Sequence, residues 1–216
     1  ASLLGRVVGY APEHEGDVVQ NIVPVKQLAT EQSSTSSSVT LAFHTEAAFH
    51  PHKPRYLLLL CLRGDPQAAT TYALLNDVLS LLPDQARQDL TREEFTTGVD
   101  SSYNPRPGAR SKLHSVLSSG NVPVWCWDEE LTQGTTPRAR EALLDLAAAV
   151  AACSRAVVLE EGDLLILDNS SVVHGRSPFS PRFDGTDRWL QRSFVVPDLR
   201  AVGDDLSGNV ITTSFS

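Results

Sequence analysis

"VTLAFHTEAAFH", residues 39–50, runs as a short apolar strand into two histidines and a glutamate. The whole chain of 216 residues holds only six histidines, so this local density needs a reason. Side chains at i and i+2 of a strand point to one face, so His44 and Glu46 can converge on a single ion. Alone, an H-x-E is equally well read as polar residues at a strand end. A third ligand would complete a two-histidine, one-carboxylate set of the kind that holds non-haem Fe(II) and leaves positions open. His174 fits that place. It stands in "LLILDNSSVVHGRSPF" (164–179), just past a buried-strand pattern.

Outward from this pair, the chain reads as many short strands with few helices. "DVVQNIVP" (17–24), "VTLAF" (39–43), "RYLLLLCL" (55–62), "AVVLE" (156–160), "DLLILD" (163–168) and "RWLQRSFVV" (188–196) carry strand patterns, and "LHSVL" (113–117) and "VPVWCW" (122–127) are weaker strand candidates. In "TTYALLNDVLSLLPDQARQDL" (70–90) apolar residues recur at helical spacing from Leu74 to Leu82, and Pro83 ends the helix. "PRAREALLDLAAAVAACSRA" (137–156) is the clearest helix, opened by proline. "TEQSSTSSS" (30–38) reads as a flexible loop and "SSYNPRPGARSK" (101–112) as a Pro/Gly loop. This pattern predicts one mainly β domain over residues 1–216, a sandwich or barrel with helical insertions.

Composition excludes several classes. Net charge is −8 with no basic run, which argues against a nucleic-acid partner. No apolar run approaches a bilayer's thickness, so no membrane role is expected. Cys61, Cys126 and Cys153 are odd in number and widely spaced, which suits a reducing cytoplasm rather than a disulfide framework. The chain contains no methionine, so further residues are expected upstream.

The stretch after His174 adds two cations, Arg188 and Arg192, four positions apart in a strand pattern and so on one face. A guanidinium binds carboxylates bidentately, so two of them beside a metal suggest two bound carboxylates. "GYAPEHEGDVVQNIVP" (9–24), "FHTEAAFHPHKPRYLLLLCLRGD" (43–65), "ATTYALLNDV" (69–78) and "LEEGDLLILDNSSVVHGRSPFSPRFDGTDRWLQRSFV" (159–195) together resemble the clavaminate synthase-like Fe(II)/2-oxoglutarate oxygenases, which hydroxylate free arginine, asparagine and lysine.

The resemblance implies a double-stranded β-helix, a cupin-like jelly-roll barrel. It implies His44, Glu46 and His174 as iron ligands, and Arg188, helped by Thr70 or Thr71, as the anchor for the distal carboxylate of 2-oxoglutarate. Arg192 would hold the α-carboxylate of the amino-acid substrate, and Asp128 or Glu130 in "WDEEL" (127–131) would meet its side chain. The implied reaction consumes O2 and 2-oxoglutarate and hydroxylates C3 or C4 of a free amino acid, as in antibiotic and other secondary-metabolite biosynthesis. The acidic segment favours a basic amino acid, arginine- or lysine-like, because a buried carboxylate is costly unless paired. Desaturation or oxidative ring closure, a non-catalytic jelly-roll binding subunit, and a zinc hydrolase using the same ligands stand as alternatives. The residues do not indicate whether a partner chain is involved.

Elsewhere the plainer readings lead. His50 and His52 are expected in solvent, His114 as a satisfied strand residue, and Trp125 and Trp127 in the core. Asp128 and Glu130 also read as a solvated acidic turn, and Glu13 and Gln20 as residues able to face a substrate.

Overall fold

The computed structural model describes residues 3–120 and 123–215. Five strands come first: β1 (Arg6–Tyr10), β2 (Gln20–Ile22), β3 (Leu41–His44), β4 (Tyr56–Arg63) and β5 (Ala69–Leu74). Helices α1 (Leu75–Leu81) and α2 (Asp84–Leu90), the short strands β6 (Phe95–Thr97) and β7 (Thr132–Gly134), and helix α3 (Pro137–Cys153) follow. The chain ends with β8 (Arg155–Val158), β9 (Leu164–Asp168), β10 (Val172–Arg176), β11 (Trp189–Val196) and the two-residue strands β12 (Leu206–Ser207) and β13 (Val210–Ile211).

Two sheets face each other, as in a jelly roll. The larger has the order β12-β13-β1-β11-β4-β9, with β2 also pairing β11, and the smaller has the order β3-β10-β5-β8. Between them lies a core of Leu57, Leu59, Leu190, Phe194 and Val172, joined by Tyr72 and Leu74 of the smaller sheet. A second core fills the space between the outer face of the smaller sheet, at Ala73 and Val173, and the three helices with Trp125 and Trp127. β10 is therefore buried on both faces along its whole length. His174 is consequently inside a strand of its own, not just beyond the previous one.

Several sequence expectations shift for local reasons. The long helix stops at Cys153 because Arg155–Val158 pairs with β5 instead. Leu82 is extended, as a residue before proline prefers, and the chain then starts a second helix at Asp84 that periodicity did not reveal. "LHSVL" and "VPVWCW" are not strands: His114, Leu117 and Trp125 make isolated bridges only, and Val122 lies outside the described residues. In the 30–38 loop, Ser36 and Ser37 are buried, so it is a packed connection. His50 is not in solvent either; it is 1% exposed against Tyr10 and Phe215, and burial drives its pKa down to about 3. His52 is half-buried and meets Asp205 at 3.1 Å. His114 is satisfied as expected, by Thr97 Oγ1 and the Ser115 carbonyl. No helix among the described residues is long and apolar enough to cross a membrane.

Gly175, between His174 and Arg176, lets β3 and β5 close on β10. A Cβ there would collide with the Leu41 carbonyl oxygen and come within 3.0 Å of Thr71 Oγ1. Gly175→Ala should therefore push β3 off β10 and cost about 1–3 kcal/mol, as overpacked sites do. Urea denaturation measures this, and an unchanged midpoint would mean that β3 yields freely.

Candidate metal and anion site

The pairing of β3 with β10 sets the site. His44 lies directly opposite His174, and their ring centroids are 4.4 Å apart. β3 ends at His44, so Glu46 arrives through a turn rather than by strand alternation. Two contacts shape that turn. Thr45 is tied to the backbone of Trp127, with its amide donating to the Trp127 carbonyl at 2.7 Å. The Glu46 amide donates to Asn169 Oδ1 at 2.6 Å, and Asn169 Nδ2 donates to the Glu46 and Pro54 carbonyls. Ala47 then takes a positive φ of 51°. Asn169 is 5% exposed, and nothing in the sequence pattern marks it out.

One donor atom from each of His44, Glu46 and His174 lies within 4.8 Å of the others. His44 Nδ1 is 2.9 Å from the Ala42 carbonyl, an acceptor only, so the proton sits on Nδ1 and the Nε2 lone pair is free. Such an outer hydrogen bond is what fixes the tautomer of a metal-binding imidazole. Burial and then His44 push the His174 pKa down to about 4, so its ring is neutral near pH 7. Burial would raise Glu46, but Arg192 and then the His174 hydrogen bond outweigh it and lower the carboxylate to about 2. Two imidazoles and one ionised carboxylate are a donor set suited to a divalent transition metal.

Arg192, 5% exposed on β11, sits among counter-charges. It reaches Glu13 Oε1 at 2.5 Å, Gln20 Oε1 at 2.6 and 2.8 Å, and Glu46 Oε1 at 3.6 Å, with the Phe194 ring beneath it. Gln20 is its register partner on β2, and the Tyr103 hydroxyl donates to the other oxygen of Glu13 at 3.2 Å.

Arg188 is the contrast. It is 7% exposed, and no described residue gives it a hydrogen bond or ion pair. Burial pushes its guanidinium down to about 10, opposed only by Cys61 and Asp65. It precedes β11 by one residue, and a register shift between Trp189 and Leu190 follows it, yet it still turns inward. Arg63 Nη1 fixes this approach by donating to the Gly185 and Asp187 carbonyls. Arg188 and Thr70 line a narrow inner cavity of about 50 Å³ that also touches His44, Glu46, His174 and Arg192. Thr71 points the other way, towards Gly175, so the structure brings Thr70 to the cavity and not Thr71.

On the outer side of Glu46 and Arg192 lies an open cleft of about 760 Å³. Among the described residues its carboxylates are Glu13, Glu31, Glu46, Asp100, Asp128 and Glu130, set against the one guanidinium of Arg192. Asp128 bridges to His44 through the backbone, and its Oδ1 accepts from the Glu130 and Leu131 amides. Burial raises its pKa, with His44 pulling the other way. Glu130 is exposed at the cleft wall, and it is Glu129 that bonds back, to the Phe43 amide.

A sequence profile described as "Taurine catabolism dioxygenase TauD, TfdA family" matches residues 2–194. The chain belongs to this family. It is 40% identical over 199 residues to an L-asparagine oxygenase of Streptomyces coelicolor, covering 91% of this chain and 60% of that protein. An L-lysine 3-hydroxylase of Catenulispora acidiphila is 35% identical, over 90% of this chain and 56% of its own length. The chain thus spans about 60% of the length of these relatives. The crystal structure of an asparagine oxygenase with Fe(II), 2S,3S-3-hydroxyasparagine and succinate superposes with a TM-score of 0.93 at 38% identity, covering 98% of this chain and 67% of that one. The fold is that of the non-haem iron oxygenases of this family.

Asn169→Ala should unpin the Glu46 turn and leave the Glu46 amide and two carbonyls buried without partners. The expected loss is about 2–3 kcal/mol, read as a lower urea midpoint at constant slope. A midpoint like that of the parent would show that Thr45 and Trp127 hold the turn unaided.

Proposed function

We propose that this protein is an Fe(II)- and 2-oxoglutarate-dependent oxygenase that hydroxylates C3 or C4 of a free amino acid. The observation that carries the reading is Arg188, a buried guanidinium with no hydrogen bond or ion pair to a described residue, in the cavity that ends at His44, Glu46 and His174. A buried charge is tolerated only when it is paired, so this cavity calls for an anion beside the metal ligands. A zinc hydrolase with the same three ligands would leave Arg188 without a task.

In this reading His44, Glu46 and His174 hold the iron. The iron and O2 supply the oxidising chemistry that turns 2-oxoglutarate into succinate and CO2 and places one oxygen atom on a C–H carbon of the amino acid. Arg188 takes the distal carboxylate of 2-oxoglutarate, with the Thr70 hydroxyl beside it. Arg192 and Glu13, charged oppositely and 2.5 Å apart, match the α-carboxylate and α-ammonium of a free amino acid. The side chain then extends into the outer cleft, whose excess of carboxylates favours a cationic end near Asp128 and Glu130. The 40% identity to a protein named for asparagine favours a neutral amide side chain as the second reading. We place the protein in the cytoplasm on its three free cysteines.

Aerobic incubation with Fe(II), 2-oxoglutarate and a panel of arginine, lysine and asparagine, scored by succinate and by mass gain of the amino acid, tests the whole reading. Absence of succinate with every amino acid would sink it. His44→Ala, Glu46→Ala and His174→Ala should each abolish turnover, and normal activity in one of them removes that residue from the ligand set.

Arg188→Ala should weaken 2-oxoglutarate binding by roughly a hundredfold, the weight of a charge-assisted bidentate contact. The same affinity for 2-oxoglutarate in parent and variant would mean that the anion binds elsewhere. Asp128→Asn and Glu130→Gln keep volume and remove charge. At least one should lower turnover of a basic amino acid while leaving slow succinate formation without substrate. If neither does, the cleft's charge does not choose the substrate.

A further inference from the structure

One buried cation on the inner cavity has no part in the reading above. Arg176 ends β10, two residues beyond His174 and on the same face, and is 4% exposed. Its guanidinium donates to the Ser36 carbonyl at 2.6 Å, Ser36 Oγ at 3.0 Å, the Val39 carbonyl at 3.1 Å and the Ser34 carbonyl at 3.5 Å. Its Nε reaches the Ser177 carbonyl at 3.2 Å, and the ring of Phe179 lies 5.2 Å away.

These acceptors are all uncharged, and no described carboxylate pairs with Arg176. A neutral donor would make comparable bonds without stripping water from a charge, so the charge itself needs an explanation. Arg176 and Arg188 both line the inner cavity, and so does Ser34 from the loop that Arg176 holds. Two unpaired guanidiniums repel until an anion enters between them. The loop on which one of them is anchored is part of the wall that encloses that anion.

We propose that Arg176 is a positioning residue of the co-substrate pocket: it pins the 34–39 segment as the cavity wall and adds a second positive charge that draws a dicarboxylate towards Arg188. This rests on reading the inner cavity as the 2-oxoglutarate site. Ligand and loop are then linked, so a bound dicarboxylate tightens the loop, and loss of Arg176 weakens both.

The test compares the Fe(II)-loaded parent with Arg176→Gln, Arg176→Lys and Arg188→Ala under anaerobic conditions. Calorimetry gives the affinities for 2-oxoglutarate and for the amino acid, and a glutamate-specific protease reports cleavage after Glu31, which is exposed in the adjoining loop. In the parent, 2-oxoglutarate should slow that cleavage. Arg176→Gln should bind 2-oxoglutarate about tenfold more weakly, as expected for one charge interaction in a partly dry cavity. It should keep amino-acid affinity within about twofold and be cut faster. Arg176→Lys, which also serves if the glutamine variant does not fold, should recover part of the affinity through its charge. It should stay rapidly cut, because an ammonium cannot span the same carbonyls.

Parent-like 2-oxoglutarate affinity in Arg176→Gln, or in Arg176→Lys a parental cleavage rate, overturns the proposal. An equal fall in both affinities together with the melting temperature also overturns it, since that reports general loosening. If instead the parent binds no 2-oxoglutarate and Arg188→Ala changes nothing, the reading of the cavity itself fails.

Discussion

A guanidinium taken out of water must find counter-charges within reach, and Arg192 finds them on segments far apart in sequence. Glu13 and Gln20 come from the chain before and within β2, and Glu46 from the turn after β3 on the opposite sheet. Removing one partner from a buried pair typically costs about 3–5 kcal/mol, because the other charge is then stranded. The ion-paired centre therefore fixes how the two sheets meet. It also holds Glu46 ionised beside two imidazoles, so the same interaction that organises the core prepares a carboxylate for a cation.

The three buried arginines divide the interior by how their charge is met. Arg192 has its charge met by protein carboxylates and also bonds an amide oxygen, with Nη1 making no hydrogen bond to a described residue. Arg176 has its hydrogen bonds from backbone and serine oxygens but no counter-charge, and Arg188 has no hydrogen bond or ion pair to a described residue, with Asp65 acting on it only from a distance. Moving from the outer cleft towards Arg188, the protein supplies less and less of the compensation, and a ligand must bring more of it. The reverse holds in the outer cleft, where carboxylates outnumber the single guanidinium and a cation is the missing partner. The two cavities thus ask for opposite charges and meet at His44, Glu46 and Arg192.

Most strands were legible because their apolar patterns are long or clean, as in "RYLLLLCL" and "RWLQRSFVV". β1, β5, β10 and the second helix are not legible: "RVVGY" is short beside a glycine, "ATTYAL" runs straight into a helical period, "VVHGR" carries two polar residues, and "DQARQDL" buries too few residues to show a period. The strand character given to "LHSVL" and "VPVWCW" failed for another reason. Their apolar residues are buried against helices, and backbone pairing partners exist at single positions only. His50 was misjudged because proline and lysine neighbours mark a polar loop, while the aromatic cluster that buries it comes from residues 10, 103 and 215.

By itself the sequence indicated a mainly β fold, the strands of the larger sheet from β2 to β11, the inward face of β11, and His44, Glu46, His174, Arg188 and Arg192 as candidates, because residue type and local period are encoded in neighbouring positions. It left open Thr70 against Thr71, and it gave no hint of Asn169 or Arg176. Those were decided by tertiary structure. Which of two adjacent threonines faces a cavity depends on the strand's register against β10, and a clamp such as Asn169 is defined by the backbone groups it meets over a hundred residues away. Hydrogen-bond satisfaction and charge compensation are properties of a packed interior, and they take values only once distant segments have been brought together.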